Sequence, residues 1–196
     1  TEIILNRRWK WFIGFRDITN ATNERTFISS IIPYCAVGHT MPIILHDISI
    51  HPTFIIANFN SIVFDYIVRQ KTPSTHLTYF VLKQLPIISK SHYSEIIYEK
   101  VIEMSMKLAY TSNSLSPLVE VFPKFYENKP TWNEEERFRL KCELDAIYAH
   151  LYDLTRDELD YILETFPIVK RKEMEKCGRY RTKETILQLF DQKIWE

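Results

Sequence analysis

The strongest constraint on the fold is a change of hydrophobic period partway along the chain. Before about residue 90, short apolar runs of strand character flank one stretch of helical spacing; beyond it, apolar residues recur every three or four positions throughout, as in helices. Over residues 9–16, Trp9, Trp11, Ile13 and Phe15 fall on one strand face, with Lys10, Phe12, Gly14 and Arg16 on the other. Glu2–Leu5, Arg25–Ile32 and Met41–Ser49 read as further strands, and Asp17–Asn23 as a turn-rich polar connection. His51-Pro52 opens a helix predicted to reach about Arg69, with Ile55, Phe59, Ile62, Val63, Tyr66 and Ile67 at helical spacing. A polar, cationic loop follows, then a strand-like run from Leu77 to Leu85 that Pro86 stops.

The second half reads as helices. Tyr93, Ile97, Val101, Met104 and Leu108 mark one stripe. Asn133 with Glu136 looks like a capping box that opens a helix carrying Leu140, Leu144, Ile147 and Leu151. Thr155 with Glu158 is a second box, for a short helix ended by Pro167; a basic connection then leads to a last helix starting near Thr182. The expected class is α+β: a mixed sheet with one main helix, followed by a helical C-terminal region. Residues 1–90 form the α/β part and 91–196 the helical scaffold, packed as one compact unit.

Composition narrows the function. Apolar residues make up 45% of 196 and aromatics 14%, enough for a folded core. Three glycines leave no Gly-rich loop to cradle a phosphate. No apolar run is long enough to span a bilayer. Cys35, Cys142 and Cys177 are odd in number and far apart, which suits reduced, mostly buried thiols in a cytoplasmic protein. The first residue is not Met, and the chain is expected to be a piece of a longer protein. Charge is polarised: nine Lys/Arg against five Asp/Glu in residues 1–90, then nine against fifteen in 91–170. A basic first half backed by an acidic helical part suits a nucleic-acid face on a scaffold. No catalytic constellation assembles. Asp17, Asp65 and Glu95 have no downstream Glu-x-Lys on a predicted strand, as a metal-dependent nuclease would need, and no His pair sits at ligand spacing on a predicted helix. The chain reads as a binding module without a metal or cofactor of its own.

Two stretches together carry a resemblance. WFIGFRDITNATNERTFISSIIP, with NSIVFDYIVRQKTPSTHLTYFVLKQLPI, resembles the target-recognition region of large restriction-modification proteins that combine an adenine-specific methyltransferase with DNA recognition in one chain. EERFRLKCELDAIYAHLYDLTRDELDYILETFPIVKRKE followed by GRYRTKETIL is similar to the C-terminal end of that family. The likeness covers roughly residues 9–90 and 134–191. It implies an architecture similar to the specificity subunit of type I restriction systems. It also implies a catalytic core upstream, where S-adenosylmethionine would bind, since the chain has no Asp/Asn-Pro-Pro-Tyr/Phe tetrapeptide. The implied partners are that methyltransferase domain and double-stranded DNA, from which an adenine is flipped. The other reading is a structural module that docks on the methyltransferase or another chain, motivated by the stripe Leu140, Leu144, Ile147 and Leu151.

Candidate DNA contacts are Arg16, Asn20, Thr22, Asn23 and Arg25 on the first connection, and Arg69, Lys71, Ser74, Thr75 and His76 on the second. These residue types bond phosphates and base edges. Arg16 and Asp17 could instead pair internally with Arg25 or Glu24. Arg179, Arg181 and Lys183 stand where a helix N-terminus would receive a phosphate. A basic face of this size predicts a log–log salt slope of roughly −4 to −6 for DNA binding.

Overall fold

A computed structural model describes residues 10–46, 50–72, 75–123, 132–193 and 195. The expectations for Glu2–Leu5, for Ser74 and for most of the irregular segment before Asn133 lie outside these residues. The class is α+β, with a three-stranded sheet and, among the described residues, nine α-helices. No helix among them is long and apolar enough to cross a membrane.

The sheet consists of β1 (Trp11–Phe15), β2 (Ser29–Pro33) and β3 (Ile43–Ile44), in the order β2-β1-β3. Both pairings are antiparallel, Ile13 opposite Ile31 on one side and Ile44 on the other, so the sheet is not mixed. As the central strand, β1 is buried on both faces. Trp11 and Ile13 enter a core with Phe54, Ile56, Ile102 and Met106. On the reverse face Phe12 meets the Tyr34 ring at 4.9 Å. A Cβ on Gly14 would lie 3.2 Å from the Met41 side chain, so Gly14 lets the 34–42 segment fold closely over the sheet.

The helix expected from His51 to Arg69 is two helices, α1 (Pro52–Phe59) and α2 (Ile62–Lys71). Ser61 breaks the run by taking extended backbone and accepting the Phe64 N–H, as an N-cap does. Asn60, at the break, bonds both the N–H (2.9 Å) and the carbonyl (3.0 Å) of Ser29, clamping β2. The predicted strand over 77–85 is instead a single helical turn, α3 (Tyr79–Leu82). Its aromatic and β-branched composition favours a strand, but among the described residues the strand-like pairing here is one bridge, from Ile18 to His76 just before the run. Leu77 and Leu85 instead anchor the segment in a cluster with Phe15, Phe27, Phe59 and Phe64.

The helical part comprises α4 (Glu95–Ala109), α5 (Ser116–Val121), α6 (Glu134–Leu151), α7 (Arg156–Glu164), α8 (Pro167–Cys177) and α9 (Arg181–Gln192). Thr155 and Glu158 form the full capping box at α7; Asn133 caps α6 through the Glu136 N–H. Pro167 does end α7, but it also occupies the first turn of α8, where its missing N–H has no helical acceptor to lose. The basic connection therefore shrinks to the residues around Gly178, whose φ of +73° closes α8 in the left-handed conformation. The α6 stripe is internal: Leu144 and Ile147 are buried and share a core with Ile186, Leu187, Leu189 and Phe190 of α9. Of the cysteines, only Cys142 is buried; Cys35 and Cys177 are exposed, so the expectation of mostly buried thiols fails.

Candidate nucleic-acid interface

The first and second connections, some fifty residues apart in sequence, meet in space. The Thr19 N–H donates to the Thr75 carbonyl and the Leu77 N–H to the Asp17 carbonyl, each at 2.9 Å. His76 Nδ1 lies 3.0 Å from Asp17 Oδ2, closing the same edge with side chains. Locally the first connection is held by its own polar groups. Asn20 Oδ1 accepts from the N–H and the hydroxyl of Thr22, an Asx-type turn. The Thr19 hydroxyl donates to the Thr26 carbonyl at 2.6 Å, and Arg16 donates to the Arg25 carbonyl at 3.0 Å.

Beneath this edge lies a buried ionic network. One oxygen of Asp65 accepts the backbone N–H groups of Thr26 (2.8 Å) and Phe27 (2.6 Å). The other accepts Arg69 Nε at 3.0 Å. Arg69 Nη2 then donates to the carbonyls of Asn23 (2.8 Å) and Glu24 (3.0 Å), and its guanidinium lies 4.0 Å above the Phe166 ring. Arg25 reaches from the same connection to Asp145 on α6 at 3.3 Å. Asp145 also accepts the Ile62 N–H at 2.6 Å, at the start of α2. Burial raises the Asp145 carboxyl pKa, and Arg25 opposes that rise.

The network decides which expected contacts face solvent. Asn20, Thr22, Lys71, Thr75 and His76 are exposed along the joined edge, while Arg16, Asn23 and Arg25 are half-buried. The Arg69 side chain is only 7% exposed and spends its donors inside, so it serves the scaffold and not the surface. Asp17 pairs with His76 and Glu24 with Lys172, so the internal pairing expected of this segment forms with partners other than those considered.

Arg179, Arg181 and Lys183 face carboxylates of the protein itself. Arg179 pairs with Glu184, Arg181 with Glu135, and Lys183 with Asp160 and Glu164. At the start of α9, Glu173 accepts the N–H (2.8 Å) and hydroxyl (2.6 Å) of Thr182. A carboxylate of the chain thus holds the place foreseen for a phosphate. The sequence reading missed the carboxylates of this network as structural anchors, although Asp65 and Arg69 stand at the i, i+4 spacing of a helical ion pair. Asp145, distant in sequence from Arg25, gave no such signal.

No group of His, Cys, Asp or Glu side chains suited to a metal occurs among the described residues. No family model, curated protein or solved structure matches the chain.

Proposed function

We propose that this chain is a target-recognition module that reads duplex DNA for a methyltransferase domain of the same protein. The observation that carries the reading is the joining of 17–19 to 75–77, because both segments of the motif resemblance then contribute to one exposed polar edge. Asn20, Thr22 and Thr75 supply amide and hydroxyl groups suited to base edges or phosphates, and Lys71 supplies charge. The Asp65–Arg69 network holds that edge in one conformation and lowers the entropy lost on docking. In the parent protein, S-adenosylmethionine would bind in the upstream catalytic domain, and the flipped adenine would enter that domain.

The burial of Arg69 and the pairing of Arg25 with Asp145 change the expected electrostatics. With Lys71 the exposed cation among the edge candidates and His76 paired with Asp17, the salt slope due to the edge should be about −1, not −4 to −6. Fluorescence anisotropy with a labelled duplex pool over a salt series measures it. A steep slope that survives Lys71→Ala would place the DNA elsewhere on the protein. Docking on the methyltransferase domain is favoured as a companion role by Ile18 and Phe80, 54% and 76% exposed beside the same edge. Loss of that docking in Phe80→Ser, with DNA binding intact, would separate the two roles.

A further inference from the structure

We infer that α8 makes a second, sequence-independent contact with the duplex, its exposed cations lying along the phosphate backbone beside the reading edge. The inference rests on the DNA reading above. None of the residues of α8 is buried, whereas α6, α7 and α9 each bury a face. The helix is pinned at its ends instead, by Phe166 before it and Tyr180 after it, both buried, and the Tyr180 hydroxyl donates to the Leu163 carbonyl at 2.9 Å. The ion pairs of α8 run outward, Lys170 to Glu164 and Lys172 to Glu24, and none joins two of its own residues. A helix that gives the core nothing and carries no i, i+4 pair of its own is the kind that bridges to a partner.

The placement of its charges says which partner. Glu173 turns inward, where it accepts the N–H and hydroxyl of Thr182, and half-buried Lys170 is held by Glu164. The charged groups left exposed are Arg171, Lys172, Glu175 and Lys176, three cations against one carboxylate. Arg171 and Lys176 meet no carboxylate among the described residues. Lys172 and Lys176 stand one turn apart on the same side of the helix. Lys172 also fixes where that side points, because it pairs with Glu24, two residues beyond Thr22 on the first connection. The Glu24 carbonyl in turn accepts Arg69, which donates as well to the Thr165 carbonyl just ahead of α8. The cationic side of α8 therefore begins at the edge and continues from it. A net excess of two positive charges on a pinned helix is complementary to the phosphates that flank the bases being read, and such contacts set register without reading sequence.

With Lys71 on the edge, Arg171 and Lys176 bring the total salt slope to about −3, still short of −4 to −6. Fluorescence anisotropy of a labelled random-sequence duplex pool over a salt series, with selection from the same pool, tests the inference. The double variant Arg171→Ala with Lys176→Ala, both at exposed positions, should bind the pool more weakly and lose about 2 of the slope. The sequence it enriches should be that of the parent, as expected for phosphate contacts. Glu175→Lys should bind the pool more tightly than the parent, a gain that no loss of folding could produce. Unchanged affinity and slope in the double variant, or no gain from Glu175→Lys, would overturn the assignment of α8 and leave the edge reading standing. A changed enriched sequence in the double variant would also overturn it, since α8 would then read bases. No duplex binding by the parent would refute the recognition reading itself, and this inference with it.

Discussion

Removing the Asp65 carboxylate should be among the most damaging single changes beneath the edge that joins residues 17–19 to 75–77. Its two oxygens accept the Thr26 and Phe27 N–H groups and the Arg69 guanidinium, at a side chain 1% exposed. Asp65→Ala strands two backbone donors and leaves Arg69 without its counter-charge, the situation in which breaking a buried pair costs about 3–5 kcal/mol. Against a total stability of roughly 5–15 kcal/mol, that is a large fraction. For a chain of this length it corresponds to a fall in Tm of roughly 10 °C. Arg69→Ala should cost less, about 2–3 kcal/mol, because Asp65 keeps its two backbone bonds while the span to Asn23 and Glu24 is lost. Urea unfolding of the two single variants and the double variant would give a coupling energy of about 1–3 kcal/mol. If Arg69→Ala leaves stability within about 0.5 kcal/mol of the parent and abolishes binding at one base position, Arg69 is a reader and the scaffold argument is refuted.

Three further outcomes follow from particular side chains. His51 caps α1 through Nδ1, and burial, with a smaller push from His46, lowers its pKa to about 3. The unfolded chain therefore takes up a proton near pH 6.5 that the folded chain refuses. Stability should fall with acidification by about 1.4 kcal/mol at pH 5.5, continuing toward pH 3. Thermal unfolding of His51→Asn, which keeps a capping side chain, should show a flatter pH profile. Lys71→Ala should reduce the DNA salt slope by about 1 without sequence preference, the mark of a phosphate contact. Ser105→Ala, by deleting a buried hydroxyl that has no partner, should raise stability by about 0.5–1.5 kcal/mol in urea unfolding. A destabilised Ser105→Ala would mean that the hydroxyl is already satisfied.

The sequence made the fold class legible because strand-like alternation is confined to the stretch before about residue 90, while helical spacing continues through the rest. The α7 capping box was readable for the same reason: Thr155 and Glu158 act locally. What was not readable depended on distant partners. The interruption at Asn60–Ser61 is used to clamp Ser29 and to offer the Ile62 N–H to Asp145, neither of them near in sequence. The run Leu77–Leu85 has strand composition but meets no neighbouring strand among the described residues; Tyr79–Leu82 form a helical turn and the two terminal leucines are buried. Arg25 and Arg69 show the same limit at the candidate site. A basic loop residue and an ion-paired strut have the same identity in sequence, and only burial against Asp65, Asp145 and Phe166 distinguishes them.

The most direct test of the recognition reading is selection from a random duplex pool by the chain and by a variant carrying Asn20→Ala, Thr22→Ala, Lys71→Ala and Thr75→Ala together. All four positions are exposed, and although the variant loses the Asn20–Thr22 side-chain bonds of the turn, thermal unfolding should show it folded and within about 1–2 kcal/mol of the parent. Recognition by this edge predicts a short enriched sequence for the parent and none for the variant. No enrichment by the parent, or the same sequence enriched by both, would contradict it.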